Sequence, residues 1–141
     1  MKGEGVKFLL VDDDEVDVMA VRRAFDAARV PCSLIVASDG LEAFDKLRGR
    51  NGTPALTRPY IVLLDLNMPR MNGIEFLREL RADPEHRNAV VFVLTTSREK
   101  AHKEEAYGFN VAGYIVKSEA TEDFVEMARM LDLFRRLVAL P

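Results

Sequence analysis

The chain has 141 residues, 48% of them hydrophobic, and a formal net charge of −3. That length suits one ordinary domain, expected over residues 1–141, with enough apolar content for a core. A mildly acidic balance with no basic stripe gives no electrostatic footing for nucleic acid, and no stretch approaches the ~20 apolar residues of a membrane span. The single cysteine, Cys32, lies in an apolar stretch and reads as a buried, inert thiol, which fits a reducing, cytoplasmic setting.

In chain order, residues 6–11 form the first apolar, β-rich run and end in Asp12-Asp13, an acidic stop that no secretion signal tolerates. Asp14, Glu15 and Asp17 follow as acids at the start of a helix that carries Val18, Val21, Arg22 and Phe25 at helical spacing. Residues 33–37 read as a second strand, and Asp39-Gly40 opens a helix with Leu41, Phe44 and Leu47. Residues 49–59, GRNGTPALTRP, have the composition of an exposed connector. A third strand over 60–64 runs into Asp65, and Gly73 precedes a helix bearing Ile74, Leu77 and Leu80. His86 follows Pro84-Glu85 in a loop and His102 sits in a polar helix, so both are expected on the surface. The fourth strand, 90–94, leads to Thr95-Thr96, and the fifth, 113–116, leads to Lys117. Thr121-Glu122-Asp123 supplies an N-cap and an acidic first turn for the last helix.

Five strand–helix repeats with nearly all-apolar strands imply a doubly wound α/β fold around a parallel sheet buried on both faces. In such sheets ligands bind beyond the carboxyl ends of the strands, where Asp12, Asp13, Asp65, Thr95, Thr96 and Lys117 all fall. If the first and third strands are neighbours, three carboxylates converge. At ~4 Å and an effective dielectric of ~20, each pair repels by roughly 4 kcal/mol. The cluster therefore calls for a cation, either Lys117 or a small divalent ion that uses few carboxylates and keeps its waters, as Mg²⁺ does.

Four segments taken together, Leu10-Val11-Asp12-Asp13, Asp65-Leu66-Asn67-Met68-Pro69-Arg70-Met71-Asn72-Gly73, Leu94-Thr95-Thr96-Ser97 and Gly113-Tyr114-Ile115-Val116-Lys117, resemble the receiver domain of two-component response regulators. The resemblance covers nearly the whole chain. It implies a flavodoxin-like (βα)5 fold, five parallel strands in the order 2-1-3-4-5. It further implies that Asp65 is the phosphoacceptor for a sensor histidine kinase. Asp13, Asp65 and the main-chain carbonyl of Asn67 would bind Mg²⁺, with Asp12 acting through water, and Lys117 would neutralise phosphoryl oxygens. Thr95, with Thr96 in reserve, would be drawn inward by the phosphoryl group and vacate space for Tyr114 to turn from exposed to buried as a switch, and Asn67 and Ser97 would tune hydrolysis. Such a protein is a signalling switch rather than an enzyme, although Mg²⁺-dependent self-phosphorylation and self-dephosphorylation are implied.

The last helix has two apolar faces: Phe124, Met127, Ala128, Leu131 and Phe134 on one, and Met130, Leu133, Leu137 and Leu140 on the other. This surplus points to a homodimer through residues 121–141, with Met127, Met130, Leu133, Phe134 and Leu137 at the interface. No further output domain is expected, and signalling is expected to run through partner contacts. Ser118 stands where the family usually has proline, which puts the geometry of the Lys117–Ser118 peptide bond in question. The long connector, Thr95-Thr96-Ser97, Lys117-Ser118 and the Leu140-Pro141 ending resemble stand-alone regulators of phytochrome-type kinases. Two rivals are a receiver-like adaptor that acts without phosphorylation and an Asp-nucleophile phosphatase of the haloacid dehalogenase type. The phosphatase wants an acid two residues past its nucleophile, and Asn67 stands there.

Overall fold

The computed structural model describes residues 6–31, 33–119 and 124–141. Five strands alternate with five helices: β1 (Lys7–Val11), α1 (Glu15–Ala27), β2 (Ser33–Ala37), α2 (Gly40–Arg48), β3 (Tyr60–Leu64), α3 (Gly73–Ala82), β4 (Val90–Thr95), α4 (Lys100–Gly108), β5 (Gly113–Val116) and α5 (Val125–Leu137). The strands form one parallel sheet in the order β2-β1-β3-β4-β5. Compared with the sequence reading, β1 begins one residue later and β4 extends through Thr95.

Alternation along each strand divides the core into two layers. Leu9, Val11, Val62, Leu64, Val91 and Val93 pack with Phe44 and Leu47 of α2 and with Phe76, Leu77 and Leu80 of α3. Phe8, Leu10, Ile61, Leu63, Phe92 and Leu94 face the other way, against Val21 and Phe25 of α1 and Met127 and Leu131 of α5. Strands covered on both sides need apolar residues at every position, which is why they lack a polar alternation.

Local chemistry sets the helix starts. The Asp14 side chain accepts from the Val16 and Asp17 amides to cap α1, and Asp39 accepts from the Glu42 amide to cap α2. Asn72 and Glu75 form a reciprocal capping box at α3. The cap expected at Thr121-Glu122-Asp123 lies outside the described residues, as does Cys32; α5 is entered through Phe124 at φ 59°. Residues 49–59 carry no helix or strand, in line with a connector, and Leu56 packs against the core. Among the described residues the cis peptide bond is Arg58–Pro59, so Lys117–Ser118 is not cis.

Arg81, near the end of α3, fastens three segments at once. Its guanidinium donates to the carbonyls of Phe109 (2.7 Å), Ala89 (2.7 Å), Arg87 (2.8 Å) and Asn110 (3.2 Å). The C-terminal end of α4 is thereby tied to α3 and to the entry of β4.

Expectations at His86 and on the last helix and its tail need correction. His86 is buried, not exposed, because the turn before β4 folds it over the start of β3, where Nδ1 lies 3.0 Å from the Tyr60 hydroxyl. Met127, 5% exposed, is core rather than interface, and Phe134 packs edge-on against Phe92 with centroids 5.1 Å apart. Leu140 also turns inward, onto the same layer as Phe134. The exposed apolar residues of the C-terminal region are Met130, Leu133, Leu137 and Val138.

Candidate phosphorylation site

The strand register brings the candidate residues to one edge. Val11 pairs with Leu64, Leu64 with Val93, and Thr95 with Val116, so Asp12, Asp65 and Lys117 emerge side by side. The Asp65 amide donates to the Val11 carbonyl (2.9 Å) and the Lys117 amide to the Thr95 carbonyl (2.7 Å), which extends the ladder into the loops.

Carboxylate oxygens of Asp12, Asp13 and Asp65 all lie within 4.8 Å of one another, Asp12 and Asp65 buried and Asp13 exposed. The Lys117 ammonium, on a side chain only 8% exposed, reaches Asp12 Oδ2 (3.0 Å), Asp65 Oδ2 (3.3 Å) and Asp17 Oδ2 (2.6 Å). From the sequence Asp17 reads as a helix-start acid near the site, ahead of metal ligation. Its role in holding Lys117 went unseen because the two residues are 100 positions apart.

Electrostatics follow from this geometry. Burial pushes Asp12 up to about 6, even though the Asp14 amide and Lys117 both act to lower it and the Asp65 charge adds to the rise. Burial alone would lower Lys117. The hydrogen bond to Asp17 and the charges of Asp12 and Asp65 outweigh that and hold it well above its ordinary value. Three carboxylates, those of Asp12, Asp17 and Asp65, thus share one ammonium, and Asp13 adds a fourth acid beside Asp12 and Asp65. An all-oxygen donor set with unneutralised negative charge fits a hard divalent cation.

Thr95 is fully buried, whereas Thr96 faces outward. The Ser97 amide points to Thr95 Oγ1 (3.4 Å), and the Ser97 carbonyl accepts from the Tyr114 hydroxyl (3.0 Å). Burial pushes the Tyr114 hydroxyl up, and the charges of Glu99 and Asp65 add to this against the bond to Ser97. His102 is half-buried rather than free on the surface, with Nδ1 2.6 Å from Ser97 Oγ and Nε2 3.3 Å from Glu99 Oε2. A cleft of about 270 Å³ beside Leu66 and Asn67 is bordered by Glu75, Arg78, His102 and Glu105.

The loop after Asp65 is held in several places. Arg70, at φ 60°, donates through Nε to the buried Asp39 carboxylate at 2.6 Å. The Gly40 amide donates to the Met71 carbonyl and the Gly73 amide to the Leu66 carbonyl. Gly73 must lack a side chain, since a Cβ there would lie 2.5 Å from the Asp65 carbonyl oxygen. Sequence reasoning did not find the Asp39–Arg70 pair; a buried acid 31 residues from an exposed arginine leaves no local pattern.

The profile of the response regulator receiver domain matches residues 8–129. Response regulator Rcp1 of Synechocystis sp. is 32% identical over 126 residues, 89% of this chain and 86% of the relative. The phosphorylated cyanobacterial phytochrome response regulator RcpA superposes with a TM-score of 0.85 at 31% identity, over 96% of this chain and 97% of that one. The Mn²⁺-bound form of Rcp1 gives 0.80 at 32% identity, over 96% and 98%. Response regulator RPA3017, from red light signalling in R. palustris, also gives 0.80, at 35% identity over 96% and 97%. With the fold, the strand order and the acidic edge in agreement with these matches, the chain belongs to the response regulator receiver domain family.

Proposed function

We propose that Asp65 accepts a phosphoryl group from a phosphohistidine on a sensor histidine kinase and that the resulting acyl phosphate is the signal. The reading rests above all on the gathering of Asp12, Asp13 and Asp65 oxygens within 4.8 Å, with the Lys117 ammonium 3.3 Å from Asp65. An Asp65 carboxylate oxygen forms the new P–O bond, while the P–N bond breaks and its electron pair returns to the donor imidazole. Phosphoryl transfer depends chiefly on positioning and charge neutralisation. Lys117, already beside Asp65, meets the incoming oxygens, and the Thr95 hydroxyl turns toward them. A Mg²⁺ ion held by Asp13, Asp65 and the Asn67 main-chain carbonyl, with Asp12 through water, would neutralise further phosphoryl charge.

A ligand shifts a conformational balance only through different contacts in its two states. Here the difference passes from Thr95 to Ser97 and Tyr114, which are joined by hydrogen bonds, and so to the face of α4, β5 and α5. Asn67 and Ser97 border the site and set the rate of hydrolysis. The similarity to the phytochrome response regulator RcpA and to RPA3017 of red light signalling supports a phytochrome-type kinase as partner, and we place the exchange in the cytoplasm. Met130, Leu133 (51% exposed) and Leu137 (71% exposed) form the surface we assign to a homodimer. Among the described residues no helix is long and apolar enough to cross a membrane.

The test is incubation with Mg²⁺ and a small acyl-phosphate donor, read by intact mass and hydroxylamine sensitivity. Label should appear in the wild type and vanish in Asp65→Asn; label that persists in the variant places the acceptor elsewhere. Sedimentation of the phosphorylated protein should give a dimer that Leu133→Ser with Leu137→Ser converts to monomer, and a monomer throughout removes the dimer.

A further inference from the structure

We propose that His102 is a positioning residue for hydrolysis of the Asp65 acyl phosphate, acting by locking the Ser97 hydroxyl as a hydrogen-bond acceptor toward the attacking water. This rests on the phosphoacceptor reading above and deepens it.

Ser97 is held from every side. Its amide faces Thr95 Oγ1 at 3.4 Å, and its carbonyl accepts from the Tyr114 hydroxyl at 3.0 Å. Its Oγ accepts from the Glu99 amide at 3.3 Å and sits 2.6 Å from His102 Nδ1. The other imidazole nitrogen, Nε2, lies 3.3 Å from Glu99 Oε2. A neutral imidazole carries one N–H and one lone pair. A carboxylate can only accept, so Glu99 draws the N–H to Nε2 and leaves Nδ1 as an acceptor for the serine proton.

A hydroxyl has one proton and two lone pairs. With the proton committed to His102 and one lone pair to the Glu99 amide, the remaining lone pair of Ser97 Oγ accepts a hydrogen from outside. His102 shares the cleft of about 270 Å³ with Leu66 and Asn67, the residues directly after Asp65. A water that donates to Ser97 turns its own lone pair toward phosphorus. Its oxygen forms the new P–O bond, and the P–O bond to Asp65 breaks with the electron pair returning to the carboxylate. The products are hydrogen phosphate and a proton released to solvent. Without His102 the serine hydroxyl rotates freely and spends part of its time donating to the water, which turns that lone pair away.

The bland alternative is that Ser97, Glu99 and His102 only brace the start of α4, whose N-cap residue Glu99 makes no side-chain capping bond. A double-mutant cycle separates the two. Wild type, His102→Ala, Ser97→Ala and the double variant are phosphorylated with acetyl phosphate and Mg²⁺, desalted, and followed by intact mass. Decay should slow about fivefold in each single variant, the worth of one neutral hydrogen bond. The double variant should be no slower than Ser97→Ala alone. His102→Gln, which offers an acceptor oxygen, should recover part of the rate and guards against a folding defect. Decay of His102→Ala at the wild-type rate overturns the proposal, as does an independent, multiplying effect in the double variant. A wild-type protein that never takes up label overturns the phosphoacceptor reading and this proposal with it.

Discussion

Replacing Lys117 by methionine keeps most of the side-chain volume and removes the charge that Asp12, Asp17 and Asp65 share at 3.0, 2.6 and 3.3 Å. Two bare carboxylates within 4.8 Å repel by about 3.5 kcal/mol at an effective dielectric of ~20. Breaking a buried ion pair generally costs ~3–5 kcal/mol. Proton uptake limits the loss, because Asp12, already pushed up to about 6 by burial, is raised further once the ammonium is gone. The expected penalty in EDTA at pH 7.5 is about 3 kcal/mol, or a melting temperature lower by roughly 10 °C. A carboxyl whose folded value is raised disfavours folding as pH rises through that value, so the variant should regain stability between pH 7.5 and 5.5. Mg²⁺ should stabilise the variant more than the wild type, since the ion no longer competes with the ammonium. Thermal unfolding with and without Mg²⁺ at both pH values tests this. Equal melting temperatures in EDTA, or an equal Mg²⁺ increment, refute the shared-cation account.

Gly73→Ala should lose about 3 kcal/mol in urea unfolding and weaken Mg²⁺ uptake, because its Cβ would sit 2.5 Å from the Asp65 carbonyl oxygen and 2.7 Å from the Leu66 Cα. Arg70→Ala should destabilise the protein at pH 7. Burial alone would raise Asp39, but bonds from Arg70 and the Glu42 amide hold it below its usual value. The pair's contribution is therefore full above an unfolded value of ~3.9, and the gap between variant and wild type should close as pH falls below that. Burial pushes the Tyr60 hydroxyl up to about 12, so among the three tyrosines one should ionise last in an ultraviolet titration. Tyr60→Phe should remove that late step, and its survival would assign it to another tyrosine.

The sheet was legible because its strands are short, apolar and β-branched, and three of them, Ser33–Ala37, Tyr60–Leu64 and Gly113–Val116, begin and end where the sequence places them. The acidic edge was legible for the same reason: once strand ends are known, Asp12, Asp65 and Lys117 follow by position. What escaped was contact between distant side chains. Asp17 looked like a helix-start acid and holds Lys117; His86 looked like a loop residue and meets Tyr60. On α5, helical spacing identified two apolar faces but could not say which one the sheet covers. Phe92 and its neighbours take Met127 and Phe134 and leave Met130 and Leu133 outside.

The four carbonyls gathered by Arg81 also constrain how α4 can move. Because the bonds to Phe109 and Asn110 anchor the last turn, a tilt of this helix swings it like a door on a hinge, with the greatest travel at Lys100 and His102. A helix of 9 residues is ~13.5 Å long, so a 10° tilt carries its free end by about 2 Å. That displacement is enough to make or break a hydrogen bond at Ser97 while leaving the far end of the sheet undisturbed.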